Sequence, residues 1–172
     1  LASSGVTTII ASTLDNNVAE GGDGVDTDDF GTNGVAGANG AGGAIYAANG
    51  TLTLTNSTLA LNLARGGAGG ALAVTNVGAR GDALGGALAL VSNVTTLVHV
   101  TIAYNTGSLS AAGNTNSGTR AGGGIWSVGN AYSLRASIVA TNSPANFVGE
   151  VADLGYNLSS DNSLALPVTT SV

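Results

Sequence analysis

Apolar and polar residues alternate strictly in parts of this chain. Thr51-Leu52-Thr53-Leu54-Thr55 has a period of two and is rich in β-branched residues, so it predicts a strand with one face buried. That strand lies inside a longer frame, Gly42 to Asn62 (GGAIYAANGTLTLTNSTLALN). The frame recurs at Gly85 to Asn105 (GGALALVSNVTTLVHVTIAYN) and at Gly122 to Asn142 (GGGIWSVGNAYSLRASIVATN), always with the closing Asn 20 positions after the first Gly. Residues 1–17 fit a fourth copy entered at its fifth position, so the chain is expected to start inside a repeat. Aligning the copies gives aliphatic columns: Ile9, Leu54, Leu97 and Leu134; Leu14, Leu59, Ile102 and Val139; and Ile45, Leu88 and Ile125.

If each frame is one winding of a coil, equivalent residues stack about 4.8 Å apart and every column becomes a continuous inner ridge. The pattern therefore predicts an all-β chain, a parallel β-helix of about four windings (1–17, 42–62, 85–105 and 122–142) in a single domain spanning 1–172. The closing column Asn17, Asn62, Asn105 and Asn142 is expected to form an amide ladder at a corner where Asn tolerates left-handed backbone. The Gly pairs at 42–43, 85–86 and 122–123 mark the opposite corner, where positive φ or close backbone approach excludes a Cβ. Segments 18–41, 63–84 and 106–121, rich in Gly, Ala, Asn and Ser, read as loops leaving one corner of the solenoid, with room for a third strand per turn; GGAL at 69–72 with Ala73 and Val74 suggests a short strand of its own. Pro144 and Pro167 both fall outside the frames, as ladder hydrogen bonding requires.

Composition adjusts this picture. The 28 glycines and 4% aromatics suit thin stacked layers rather than a thick globular centre. Only 8% of residues are charged, against about 25% in an average domain, which leaves a surface of Ser, Thr, Asn and Gly. A net charge of −6, with Arg65, Arg80, Arg120 and Arg135 the only permanently cationic side chains, argues against a nucleic-acid footprint. No Cys is present, hence no disulfide, thiolate nucleophile or Cys-based metal site. The lack of both Cys and Lys leans toward export, no apolar run approaches a membrane span, and Leu1 has no charged segment before it, so any signal peptide is expected to have been removed.

Four short stretches, GGAI at 42–45, NSTLALN at 56–62, SIVATN at 137–142 and LGYNLSSD at 154–161, carry a resemblance to bacterial right-handed parallel β-helix repeat proteins, among them polymorphic outer-membrane and choice-of-anchor surface proteins. The resemblance spans roughly residues 5–161 and implies a right-handed coil and an extracellular or cell-surface location. It brings no catalytic residue with it.

The candidate chemistry is sparse. Gly21 to Asp29 (GGDGVDTDD) superficially fits a Ca²⁺-binding nonapeptide, with Asp23, Asp26, Asp28 and Asp29 as candidate ligands, but Asp28 occupies an aliphatic position and there is one copy where stacked copies are needed. His99, the sole histidine, has no partner for a zinc site or a nucleophilic triad. Asp15 and Arg135 are the only charges within the frames and belong to the first and fourth windings, so the acid–base set of a polysaccharide lyase or hydrolase is missing. Two hydroxyl columns, Thr8, Thr53, Thr96 and Ser133, and Thr13, Thr58 and Thr101, raise ice binding against the plainer reading of a solvated strand face. Asn49, Asn56, Asn93 and Asn157 head glycosylation triplets.

No capping repeat or amphipathic helix is evident, the first winding lacks its Gly-Gly strand, and residues 153–172 read as a strand-like tail. The expectation is a non-enzymatic extracellular structural or adhesive protein that stacks head to tail with copies of itself into a fibre, with Leu1, Val6, Leu164, Leu166 and Val168 at the contact. The alternatives are a piece of a larger β-helical adhesin bound to a glycan surface and, third, a polysaccharide lyase or hydrolase.

Overall fold

A computed structural model describes residues 1–26, 34–71, 77–112, 117–129 and 132–172. Among these residues there is no helix, and the strands form five sheets. The first sheet holds Ala2–Ser3, Ile45–Ala48, Leu88–Val91, Ile125–Val128 and Phe147–Val148. The second holds Val6–Ile10, Thr51–Thr55, Val94–Val98, Tyr132–Arg135 and Val151–Asp153. Thr13–Asp15, Thr58–Ala60, Thr101–Ala103, Ile138–Ala140 and Leu158–Ser159 make the third. All pairings are parallel and in register, as in Ile9↔Leu54, Leu54↔Leu97 and Leu97↔Leu134, which is the arrangement of a parallel β-solenoid.

The alternating pattern explains the core. Leu54, Leu97 and Leu134, Leu59, Ile102 and Val139, and Ile45, Leu88 and Ile125 are all 0% exposed and belong to one apolar cluster. Each aliphatic side chain rests on its counterparts above and below, so burial arises from stacking rather than from a globular centre.

The segments between frames carry more structure than loops with a third strand. Val18–Glu20, Leu63–Gly66 and Thr106–Leu109 form a fourth parallel sheet, and Gly40–Ala41, Ala83–Leu84 and Arg120–Ala121 a fifth. Beyond them the chain runs out and back in stretches that hydrogen-bond to neighbouring stretches at every third residue. Gly21 and Gly24 N–H donate to Arg65 and Ala68 carbonyls, Gly67 and Gly70 to Ala38 and Val35, and Gly78 and Gly81 to Gly70 and Gly67, all at 2.8–2.9 Å. The bonds join separate stretches of the chain and recur at every third residue, a period equal to the three residues per turn of polyproline II. A Cβ at Gly21 would lie 1.9 Å from the Ala38 carbonyl oxygen, and one at Gly69 1.8 Å from that of Gly78, so the close packing needs glycine. Gly69 to Ala71 are not in a strand, and Leu72, Ala73 and Val74 lie outside the described residues.

The winding count also changes. Ladder partners are 45, 43 and 37 residues apart in successive coils, whereas Ser137 and Asn157 are 20 apart. After Asn142 the outward excursion is missing, and residues 147–159 close a short fifth coil directly on the fourth. The first coil does carry part of the strand expected to be absent: Ala2 and Ser3 pair with Tyr46 and Ala47, and the Leu1 ammonium donates to the Ala44 carbonyl at 3.0 Å.

The tail differs most from expectation. Residues 160–172 form no strand. Leu164 is 5% exposed and joins the core cluster, with Leu166 packed against it. Along the last coil, tail groups stand in for the carbonyls of a further rung: Phe147 N–H donates to Ser163 Oγ, Tyr156 N–H to Thr170 Oγ1, Asn157 N–H to Ser171 Oγ and Ser159 N–H to the Val172 carbonyl, at 2.7–3.2 Å. The tail thus protects an edge that would otherwise present unpaired amides. Leu164, Leu166 and Val168 thus belong to a segment seated on the last coil of their own chain, while Leu1 and Val6, at 63% and 86% exposure, lie on the outside of the first coil.

Candidate functional site

Polar chemistry in the solenoid concentrates at its corners. Asn17, Asn62, Asn105 and Asn142 are brought together in one ladder: Asn17 Nδ2 donates to Asn62 Oδ1, Asn62 Nδ2 to Asn105 Oδ1 and Asn105 Nδ2 to Asn142 Oδ1, at 2.8–2.9 Å. Each acceptor oxygen also takes the backbone N–H of the preceding rung, and Asn62, Asn105 and Asn142 donate further to the carbonyls of Leu14, Leu59 and Ile102. A fifth rung, not evident from the repeat, is Asn146, which is 0% exposed and whose Oδ1 accepts from Asn142 Nδ2 at 2.9 Å.

The left-handed backbone at this corner belongs to the residue before each ladder Asn, not to the Asn itself. Asn16, Leu61, Tyr104 and Thr141 have φ of 54–59°. Leu, Tyr and Thr are strained there, and the saturated hydrogen bonding of the following Asn holds the turn in place. A second such corner runs through Ala11, Asn56, His99, Ala136 and Tyr156, with φ of 48–61°. The residue after it sits in a ladder of hydroxyls and amides: Ser12 N–H to Ser57 Oγ, Val100 N–H to Ser137 Oγ, and Ser137 N–H to Asn157 Oδ1. His99 is exposed on this corner, its Nδ1 3.1 Å from Asn56 Oδ1. The Gly corner divides its work: Gly42, Gly85 and Gly122 have φ of 59–64°. At Gly43, Gly86 and Gly123 a Cβ would come within 2.1–2.2 Å of a backbone oxygen.

The acidic stretch is drawn into the same kind of link. Asp23 Oδ1 accepts from Ala68 N–H at 2.7 Å and Asp26 Oδ1 from Ala71 N–H at 2.6 Å, each 45 residues on. Asp82 Oδ1 likewise accepts from Thr119 N–H at 2.7 Å. These carboxylates tie one excursion to the next. Asp28 and Asp29 lie outside the described residues, and among the described residues no group of three or more His, Asp or Glu could hold a metal ion. Asp15 and Arg135 stand in different sheets and are not brought together. Glu20 and Arg65 pair at 3.3 Å on the surface, where such a pair contributes little.

At the capped end, partial burial would raise the Asp153 carboxyl. Donors from Gly155 and Val168 N–H, Asn157 Nδ2 and Ser171 Oγ outweigh it and hold the group below the usual carboxylate range. Asp161 is lowered in the same way: Ser163, through its hydroxyl and N–H, and Asn146 offset partial burial. Tyr132 is 1% exposed, its hydroxyl has no hydrogen-bond partner, and burial pushes its pKa well above 10.0. Its ring meets Phe147 edge-on at 5.1 Å.

The outer faces differ from one another. On the second sheet Thr8, Thr53, Thr96 and Ser133 form one outward column, with Ser133 Oγ 3.4 Å from Thr96 Oγ1. Beside it run Val6, Thr51 and Val94, and Ile10, Thr55, Val98 and Arg135, so the hydroxyls do not extend into a flat array. Thr13, Thr58 and Thr101 continue into Ile138 and Leu158. The first sheet is apolar outside as well as inside: Tyr46, Ala89, Trp126 and Val148 make one column and Ala48, Val91 and Val128 the next. Ala89 lies between Tyr46 and Trp126 in the outward column and is 0% exposed. Two open depressions flank Gly149 and Glu150, and among the described residues Glu150 is the only ionisable one lining either. Of the glycosylation triplets, Asn49 and Asn56 are exposed, while Asn93 and Asn157 are 3% and 1% exposed.

No helix among the described residues is long and apolar enough to cross a membrane. A scan against protein-family models and searches of curated proteins and of solved structures find no match to this chain.

Proposed function

We propose that this chain is an extracellular structural or adhesive solenoid, a surface element that attaches to glycans without cleaving them. The observation that carries this reading is the use to which its polar side chains are put: the Asn ladder, the Ser and Asn corner and Asp23, Asp26 and Asp82 are engaged in linking coil to coil. Such a body suits a rigid rod whose broad sides present ligand-binding surface. We infer a right-handed winding, because parallel crossover connections are right-handed in about 98% of cases. The resemblance of GGAI, NSTLALN and SIVATN to repeats of bacterial surface β-helices points to the same location.

Self-association into a fibre calls for a missing strand at one end of the coil and a spare strand at the other. With Leu164 in the core, the tail would have to leave its own chain to complete a neighbour's rung, so attachment to a surface is the better-supported role. The test is co-sedimentation with insoluble cellulose, chitin and peptidoglycan, together with a reducing-end assay on those polymers and on polygalacturonate. Retention on at least one solid without new reducing ends is expected. Retention on none would overturn the reading, and release of reducing ends would favour a polysaccharide hydrolase or lyase.

A further inference from the structure

The apolar outer face of the first sheet is the surface feature that the fold itself leaves unexplained. An outward strand position in a water-facing solenoid is ordinarily polar, as Thr8, Thr53 and Thr96 are on the adjoining sheet. Here Tyr46, Ala89, Trp126, Val91 and Val128 face outward instead, and the two columns contain no charged side chain. Tyr46 and Trp126 are separated by one rung, so their backbones lie about 9.6 Å apart. Ala89, 0% exposed, lies between them in the column, so no side chain there stands out between the two aromatics.

The dimensions select the occupant. Two outward columns are about 7 Å apart and four rungs span about 14 Å, the outline of a narrow strip along the stacking direction. A single extended polysaccharide strand fits the width, and the apolar faces of its pyranose rings have the chemistry to lie on aromatic side chains. Lack of cationic groups on the platform disfavours acidic polymers.

We propose that Tyr46 and Trp126 form a binding platform for one strand of a neutral β-linked polysaccharide, lying along the stacking direction of the coils. A β-1,4-linked chain turns over at each residue and so presents equivalent ring faces at every second sugar, matching two aromatic side chains two rungs apart. This rests on the glycan-attachment reading above and names the site for it.

Trp126 is the only tryptophan in the chain, so intrinsic fluorescence reports on the platform directly. Titration with cellohexaose, chitohexaose and mannohexaose is expected to give a saturable change with at least one of them. Tyr46→Ala is expected to weaken that binding about tenfold, as is Trp126→Ala measured by calorimetry, while Tyr104→Ala, an exposed aromatic on a different face, leaves it unchanged. Circular dichroism of each variant confirms that the coil is intact. No saturable change with any of the three sugars, or equal affinity in Tyr46→Ala, overturns the platform. If the intact chain still sediments with an insoluble polysaccharide while both platform variants do so equally, the platform fails and the attachment reading stands; if the intact chain sediments with none, the attachment reading fails as well.

Discussion

Asn142 and Asn146 are four positions apart in the chain and one rung apart in the ladder: Asn142 Nδ2 donates to Asn146 Oδ1 at 2.9 Å, as its counterparts do to residues 37–45 positions away. The ladder does not end there without partners. Asn146 Nδ2 lies 3.1 Å from both Ser159 Oγ and Ser160 Oγ, and its N–H donates to Asp161 Oδ2, so the polar column is handed over to the cap.

The central rungs should matter more than the outer one. Asn105→Ala removes the acceptor of both Asn62 donors and the donors to Leu59 and Ala103 in a wholly buried setting, and a buried group left without its partner costs about 1–3 kcal/mol. A loss of about 3 kcal/mol is expected for Asn105→Ala in urea unfolding. Asn17→Ala, at the exposed first rung, should lose about 0.5 kcal/mol.

Neighbouring glycines test the close-packed excursions. A Cβ at Gly21 would meet the Ala38 carbonyl oxygen at 1.9 Å, whereas one at Gly22 meets nothing within 4 Å. Gly21→Ala should therefore destabilise by about 2 kcal/mol or more through forced backbone movement. Gly22→Ala should be neutral or stabilising by up to about 1 kcal/mol, because it restricts the unfolded chain. Paired urea titrations of the two variants read the difference.

Acid should loosen the cap at unusually low pH. Asp153 and Asp161 both have folded pKa values below the 3.8 of the free side chain. Their contribution is thus fully present above pH 3.8 and is lost as pH falls through the lower folded values. A melting-temperature profile against pH should fall on that acid limb and be flatter there in the Asp153→Asn variant.

Tyr132 offers the opposite sign. Its buried hydroxyl has no partner, so Tyr132→Phe removes an unsatisfied polar atom while keeping the ring that meets Phe147. The variant should melt at the same temperature or higher, by up to about 1 kcal/mol of added stability.

Much of the architecture was legible because a strand's period of two and a fixed 21-residue frame both follow from local chemistry. Thr51 to Thr55 reads as a strand in isolation, and Leu54, Leu97 and Leu134 align without any knowledge of what lies between them. The fifth coil was not legible, since its start is set by an excursion that is missing and its ladder residue, Asn146, follows Asn142 immediately rather than after a frame. The glycine excursions did carry a signal, Gly34, Gly37 and Gly40 with Gly78 and Gly81, but it has a period of three and escapes a search for periods of two and 3.6. The cap was hidden because it uses Ser163, Thr170 and Ser171 hydroxyls in place of strand carbonyls, and an apolar-polar tail looks the same whether it completes its own coil or another's. The outward aromatics Tyr46 and Trp126 share a column that could have been aligned in the frames; the alternation that placed Ile45 and Ile125 inside also placed them outside.

Amide hydrogen exchange at Phe147, Tyr156 and Asn157 tests the seating of the tail on the last coil most directly. Hydrogen bonds to Ser163, Thr170 and Ser171 predict slow exchange of all three amides in the intact chain, and faster exchange in Leu164→Ala, which loosens the tail by an expected 2 kcal/mol or so. Exchange of these amides at the rate of an unstructured peptide in the intact chain would contradict it.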